Sequence, residues 1–339
     1  MGDRRAPAVS VLMPVRNGVP FLSEAIASLA AQTFRDFEIV VIDNGSTDRT
    51  PELLRDWAAR EPRLRWLRLE GPQLTRSLNL AAELARAPLL ARLDADDVAL
   101  PERLERQVAA MAANPRIGLL GASVELIDRR GRRIGRTWPP CDDAAIRHAQ
   151  RTSCVLAPSS TILRAELFRR VGGYRTGLNI SEDFDLWSRL AEHCELAALP
   201  DALVRFRVHG GSVTARQPKR MALAALCVAA ACEARRRGEA EPFRAGCPSL
   251  RRALPLLGLS REEGRRLVTI RSRVNIAYRF LLGLPVPAAW KRALPLMAGS
   301  LGVRRLYQGW LRRAHRREVP PPAAAPPAEQ AVTGRPAAA

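Results

Sequence analysis

Asp94-Ala95-Asp96-Asp97 sets carboxylates at alternate positions just past an apolar run, Leu89 to Leu93. Such a pair suits a hard, oxygen-seeking cation: Mg²⁺ or Mn²⁺ bridges one or two carboxylates to substrate phosphates. No Gly-x-x-x-x-Gly-Lys-Ser/Thr loop occurs, so a phosphate ligand here relies on metal and arginine. Two more polar clusters follow apolar runs in the same manner. Pro14-Val15-Arg16-Asn17 follows Val9 to Met13, and Asp43-Asn44-Gly45-Ser46 follows Glu38 to Ile42. Each cluster alone is ordinary turn chemistry. Together they point to one crevice, because ligands of open α/β sheets bind beyond the carboxyl ends of the strands.

The elements that must carry these clusters alternate. Strands are predicted at Val9 to Met13, Glu38 to Ile42, Leu64 to Leu69, Leu89 to Leu93 and Ile117 to Ile127. Helices are predicted at Ser23 to Ala31, from a Thr50 cap with Pro51 in the first turn, at Leu74 to Ala85 and at Glu102 to Ala113. That order predicts an α/β fold with a doubly wound, mostly parallel sheet. From 140 to 214 the pattern is less regular, punctuated by Gly172-Gly173 and Gly210-Gly211.

The segments Val9-Ser-Val-Leu-Met-Pro-Val-Arg-Asn-Gly18, Val40-Val-Ile-Asp-Asn-Gly-Ser-Thr-Asp48 and Ala91-Arg-Leu-Asp-Ala-Asp-Asp97 resemble the family 2 glycosyltransferases. Ser181-Glu-Asp-Phe-Asp-Leu-Trp187 is similar to the family's acidic catalytic motif, and Arg207-Val-His-Gly-Gly-Ser212 to its closing Arg-x-His segment. The ordered set covers roughly residues 8 to 214. The resemblance implies a GT-A nucleotide-sugar transferase fold and transfer with inversion from a nucleotide-sugar donor. It implies that Pro14, Arg16 and Asn17 line the nucleotide pocket and that Asp43 contacts the base. Asp94 would sit near ribose and diphosphate, with Arg76 and Arg92 as diphosphate neighbours. Asp96 would ligate the metal, His209 would complete the metal or diphosphate site, and Asp183 would be the catalytic base.

An inverting displacement needs one base for the acceptor hydroxyl and one device to stabilise the leaving diphosphate. Asp183 suits the first role, and Phe184 and Trp187 give its helix an apolar anchor. The plainer reading makes Glu182 and Asp183 the acidic first turn of a helix capped by Ser181. Glu182 also stands as the alternative base. Asn44 stands where relatives often carry a second Asp, and Ala157 where they often carry His. Trp66, Trp138 and Trp187 all read as core rather than as sugar platforms, and Trp138, beside Pro139-Pro140, is the best candidate among them for exposure.

Of 339 residues, 1 to 214 carry 30 Arg/Lys against 27 Asp/Glu, a balance of +3. Residues 215 to 339 carry 24 against 7, a balance of +17, which completes the net +20. The organisation expected is a catalytic domain at 1–214, a basic helical region at 215–318 and a disordered Pro/Ala-rich tail at 319–339. Leu267, Ile270, Val274, Tyr278 and Leu281 share a helical face, interleaved with Arg265, Arg266, Arg273 and Arg279. This suits either an interfacial helix on an anionic membrane surface or a helical subdomain packed on the catalytic domain. Arg304-Arg305 and Arg312 to Arg317, with Tyr307 and Trp310, read the same way. Scattered cysteines without Cys-x-x-Cys, no secretory start and no long apolar run predict a cytoplasmic protein, free or resting on the inner membrane face. The acceptor expected is a glycan or lipid-linked hydroxyl, as in cell-surface polysaccharide biosynthesis.

Two other readings compete. A sugar nucleotidyltransferase shares the fold, but usually opens with a Gly-rich basic loop where this chain has Pro-Val-Arg-Asn-Gly. A basic nucleic-acid binder fits the net charge; the charge lies away from the α/β part and no such motif occurs, so no nucleic-acid partner is expected.

Overall fold

A computed structural model of the chain describes residues 5–282 apart from 152, 213–215 and 245–246. The Arg304 to Arg317 cluster, Tyr307, Trp310 and the 319–339 tail lie outside the described residues, as do the side chains of Ile270 and of 273–282.

Chain order is β1 (Val9–Val15), α1 (Leu22–Ala30), β2 (Phe37–Asn44), α2 (Thr50–Arg60), β3 (Leu64–Leu69), α3 (Leu74–Leu84), β4 (Leu89–Arg92) and β5 (Val98–Ala99). Then come α4 (Arg103–Ala113), β6 (Ile117–Ile127), β7 (Arg133–Arg136), α5 (Asp143–Gln150), β8 (Ile162–Arg164), α6 (Ala165–Arg170), α7 (Glu182–Leu190) and β9 (Glu195–Arg207). The C-terminal part is α8 (Pro218–Arg237), the short pair β10 (Phe243–Arg244) and β11 (Cys247–Pro248), α9 (Leu250–Leu256) and α10 (Arg261–Leu282).

The main sheet runs β3-β2-β1-β4-β8-β6-β9-β5, with β7 paired to β6. β3, β2, β1 and β4 are parallel, as are β6 and β9. These parallel ladders are the long ones; the sheet is mixed through short ladders, because β8 runs antiparallel to both β4 and β6, and β5 and β7 also pair antiparallel. Every residue of β1 and β2 is buried, as expected of strands covered on both faces. Period-2 alternation divides them between two cores. Val9, Val11, Met13, Ile39 and Val41 pack with α1 and α4 on one face. Leu12, Val40 and Ile42 pack with α3, α6 and α7 on the other.

Thr50 is the first residue of α2 and not its cap; Asp48 Oδ1 accepts from the Thr50 N–H at 3.1 Å and holds the helix start instead. Beyond β9 the helices pack straight onto the α/β part. Ala225 and Val228 of α8 join Leu178 and Phe184 in one apolar cluster. Leu226, Cys227 and Ala230 of α8 join Leu254 of α9 and Leu267 of α10 in another. Leu267 is therefore buried against α8 and α9. α10 approaches α9 so closely that a Cβ on Gly264 would collide with Leu254 Cδ2. Among the described residues no helix is long and apolar enough to cross a membrane.

Candidate active site

The first two strand ends are stitched together by short polar side chains. Asn17 adopts φ 52°, a left-handed conformation that Asn tolerates better than most residues. Its N–H donates to Ser46 Oγ at 2.9 Å, and its Oδ1 accepts from the Thr47 N–H at 2.8 Å. The Gly18 N–H donates to Thr50 Oγ1 at 2.8 Å. Asp43 Oδ1 accepts from the Ser46 N–H at 2.9 Å, whereas its buried Oδ2 makes no hydrogen bond and stands 3.7 Å from Arg68 Nε. Asn44 Oδ1 accepts from the Gln73 N–H at 2.8 Å, tying in the loop before α3.

At the end of β4, Arg92 is 5 % exposed and reaches two acids. Its Nε is 2.8 Å from Asp94 Oδ1, and its Nη1 is 3.1 Å from Glu182 Oε1 on α7. Burial alone would ease the proton off Arg92, but Asp94 and Glu182 hold it firmly charged. The Asp94 N–H donates to Ser159 Oγ at 3.0 Å, so the turn Pro158–Ser160 supports this loop. Arg103, fully buried and pushed down to about 10 by that burial, donates to the carbonyls of Arg92 and Thr161 from beneath.

The C-terminal end of β9 closes over the same loop. The Arg207 N–H donates to Asp97 Oδ1 at 2.7 Å, and Arg207 Nε donates to the Asp96 carbonyl at 2.8 Å. Burial, with Asp96 and Asp94 nearby, pushes the Asp97 carboxyl well above its ordinary value. Arg207 also pairs with Glu24 at 2.6 Å and lies 4.6 Å over the Phe21 ring. Phe21 in turn packs 5.1 Å from the His209 ring. His209 Nε2 comes to 2.9 Å from Asp96 Oδ2, and its Nδ1 accepts from the Gly211 N–H at 3.2 Å.

Glu182 and Asp183 open α7 behind Ser181, which sits at φ 60° and makes no side-chain cap. A non-glycine residue held in that conformation stores strain where two acids enter the site. Burial, then the neighbouring Asp183, pushes Glu182 up to about 7 against the pull of Arg92. Burial also raises Asp183, again opposed by Arg92. Phe184 and Trp187 are fully buried and anchor the helix. Tyr174, pushed up to about 12 by burial, lies under the Arg92 guanidinium, and the thiol of Cys154 is raised by burial and by Asp183.

These groups surround one cavity of about 1160 Å³. Pro14, Arg16, Asn17, Arg92, Asp94 and Asp96 line it, as do Asp183 and His209. Residues 10–172 match the family model "Glycosyl transferase family 2". The chain is 30% identical over 216 residues to the O-antigen biosynthesis glycosyltransferase WbnJ of Escherichia coli, covering 62% of this chain and 84% of that protein. It belongs to glycosyltransferase family 2.

Solved structures share the fold of this glycosyltransferase. TarS 1-349 of S. aureus in complex with UDP-GlcNAc superposes with a TM-score of 0.58 at 18% identity, covering 91% of each chain. The mannosyltransferase PcManGT from Pyrobaculum calidifontis, in complex with GDP-Man and Mn²⁺, gives 0.53 at 20% identity over 92% of this chain and 87% of that one. The architecture is the GT-A nucleotide-sugar transferase fold.

Two of the residues expected at the glycosyltransferase's donor site do not reach the cavity wall. Asp43 is fully buried under the loop it holds, and Arg76 is exposed on α3. Arg207 and Phe21 had no assigned role in the sequence, although Arg207 opens the Arg-x-His segment. The pairing of Arg92 with Glu182 is tertiary and left no local signal.

Asp96 and His209 suit Mg²⁺ or Mn²⁺: a carboxylate oxygen and an imidazole nitrogen converge at the cavity. Among the described residues no group of three His, Cys, Asp or Glu is gathered to hold a metal unaided. Two protein ligands suffice when substrate phosphates and water supply the rest. Ligation through His209 Nε2 requires the ring proton on Nδ1, at the cost of the Gly211 hydrogen bond.

Proposed function

We propose that this glycosyltransferase moves a sugar from a nucleoside-diphosphate sugar to a hydroxyl of a glycan or lipid-linked acceptor, in one inverting, metal-assisted displacement. The observation that carries this reading is the convergence of Asp183, the Arg92–Asp94 pair and the Asp96–His209 pair on one cavity. Asp183 takes the acceptor proton as the acceptor oxygen bonds to the anomeric carbon, and the bond to the diphosphate oxygen breaks on the opposite face. Its carboxylate is poised for this, because burial raises its basicity while Arg92 keeps it ionisable. Asp94, fixed by Arg92, faces ribose and diphosphate. Asp96 and His209 would hold a divalent ion, which when bound neutralises the departing diphosphate. Asn17 and Pro14 shape the nucleotide pocket, and the unbonded Oδ2 of Asp43 is an acceptor for a base N–H if the overlying loop opens. Arg16 lines the cavity at the end of β1 and adds a cation to the diphosphate side.

Polysaccharide assembly at the cytoplasmic membrane face is the setting we propose, supported by the O-antigen role of WbnJ. UDP-GlcNAc and GDP-Man with Mn²⁺ in the two fold neighbours support a nucleotide-sugar donor and a divalent ion. We place the catalytic machinery in residues 1–214, with the helices beyond completing the cavity.

The test is a contrast of two variants, each with a normal melting curve. Asp183→Asn should lower kcat by ~100-fold or more and leave donor affinity within a few-fold. Asp96→Asn should first weaken metal-dependent donor binding. If Glu182→Gln abolishes turnover and Asp183→Asn does not, the base is Glu182; if neither matters, the displacement proposed here fails.

A further inference from the structure

The family match ends at residue 172, yet part of the cavity wall comes from far beyond it. Met221 and Ala225 of α8, Arg271 of α10 and Arg216 all line the same space. Ala225 also packs in the cluster containing Phe184, the residue after Asp183. Met221 lies one turn before Ala225, on the same helix face. Leu267 packs against α8, and Arg271 follows it by one turn, so α10 lays Arg271 along the same wall. α8 therefore packs against the residue next to the proposed base, and α10 lines the same cavity.

Size and charge point the same way. The cavity, about 1160 Å³, exceeds the roughly 300–1,000 Å³ that one small ligand needs. Arg216 belongs to the His209 side, because its Nη2 lies 3.8 Å from where a Cβ on Gly211 would be, and that same Cβ would lie 3.0 Å from His209 Nδ1. Arg271 belongs to the α8–α10 side. The region that carries it has a balance of +17 across residues 215 to 339. An acceptor entering there meets two apolar side chains and a guanidinium. A guanidinium in a partly enclosed wall selects phosphoryl oxygens through paired charge-assisted hydrogen bonds.

We propose that α8 and α10 form the acceptor subsite, and that Arg271 binds a phosphoryl group carried by the acceptor near the hydroxyl that Asp183 deprotonates. This rests on the glycosyltransferase reading with Asp183 as base. The phosphoryl group belongs either to a lipid diphosphate or to a phosphorylated polyol or glycan; the chemistry at Arg271 is the same.

The test is calorimetric titration of the full chain with Mn²⁺ and a saturating nucleoside diphosphate, chosen from UDP, GDP and dTDP by its effect on melting temperature. Geranyl diphosphate is the lipid-diphosphate probe, glycerol 3-phosphate the polyol-phosphate probe, and geraniol and glycerol the uncharged controls. At least one phosphorylated probe should bind without displacing the nucleotide, and the tighter of the two identifies the source. Arg271→Gln should weaken that binding by ~10-fold or more, Arg271→Lys should restore much of it, and nucleotide affinity should stay within twofold. If Arg271→Gln melts abnormally, Met221→Glu carries the test, since a like charge on the same wall should also repel the probe. No binding of either probe, unchanged binding in Arg271→Gln, or displacement by nucleotide would overturn the proposal. The donor reading is judged separately, by nucleotide binding and by Asp183→Asn, so the two can fail independently.

Discussion

Arg92 Nη1 donates to Glu182 Oε1 across 3.1 Å, joining the end of β4 to the first residue of α7. The same guanidinium holds Asp94 through Nε at 2.8 Å. One buried cation thus sets the distance between the donor-side loop and the helix that carries Asp183. Removing it leaves two acids without their counter-charge in a dry site. Arg92→Met should cost about 3–5 kcal/mol of stability, measured by urea unfolding. A loss below ~1 kcal/mol would mean the pair is not holding α7 in place.

Glu182 gives a pH signature. Its carboxyl is pushed up to about 7 by burial and Asp183, above the ordinary 4.5. The folded protein therefore binds that proton more tightly than the unfolded chain does. The stability it contributes is full below the ordinary value and is lost as pH rises through about 7. Wild type should lose more melting temperature between pH 5.5 and pH 8 than Glu182→Gln does. Parallel pH profiles for the two proteins would count against a raised Glu182.

Chelation addresses Asp96 and His209. Excess EDTA should abolish transfer and loosen nucleotide binding, and Mn²⁺ or Mg²⁺ should restore both. His209→Ala should raise the Mn²⁺ concentration needed for half-maximal activity by ~10-fold or more, since even a residue that only orients a metal ligand is worth about that much. Full turnover in chelator would sink the metal assignment outright.

Arg235 clamps α8 to the region of α7. Its guanidinium reaches Glu192 at 2.5 Å, Glu241 at 2.8 Å and Ser188 Oγ at 3.0 Å. Glu241 also pairs with Arg175 at 2.5 Å, and Arg175 pairs with Asp185 of α7 at 3.4 Å. Arg235→Gln should lower kcat several-fold and leave donor KM within twofold, because it frees the helix of the proposed base, Asp183, without touching the loops proposed to hold the donor. Truncation after residue 217 should give an aggregating protein, since Leu178 and Phe184 would lose their cover of Ala225 and Val228. A soluble, cooperatively melting truncate would show that α8 is dispensable.

The parallel half of the sheet was legible because β1 to β4 and their helices carry long, regular apolar patterns ended by polar turns. β3 at Leu64–Leu69 and β6 at Ile117–Ile127 agree with their sequence reading to the residue. β5 spans two residues and β8 three, too few to show any period, so the antiparallel pairings stayed hidden. The Asp94-x-Asp96 and Glu182-Asp183 pairs were legible as acidic clusters, and the structure brings them to one cavity. That Arg92 would join the two sets, and that Arg207 would lock Asp97, was not, because those contacts depend on strand order and not on local spacing. α8 shows no apolar stripe because it is Ala-rich and covered on several sides, so its share of the cavity was equally silent.

The hold of Arg207 on Asp97 spans 110 residues of chain, and that of His209 on Asp96 spans 113. At a synthesis rate of roughly 5–20 residues per second, the acidic loop is made many seconds before the strand that closes it. During that interval a nascent chain displays three neighbouring carboxylates with no imidazole and no closing strand beside them. It would be a poor ligand for nucleotide sugars while still on the ribosome. On the donor reading proposed above, donor capture would wait until the helix that bears Asp183 has also been made.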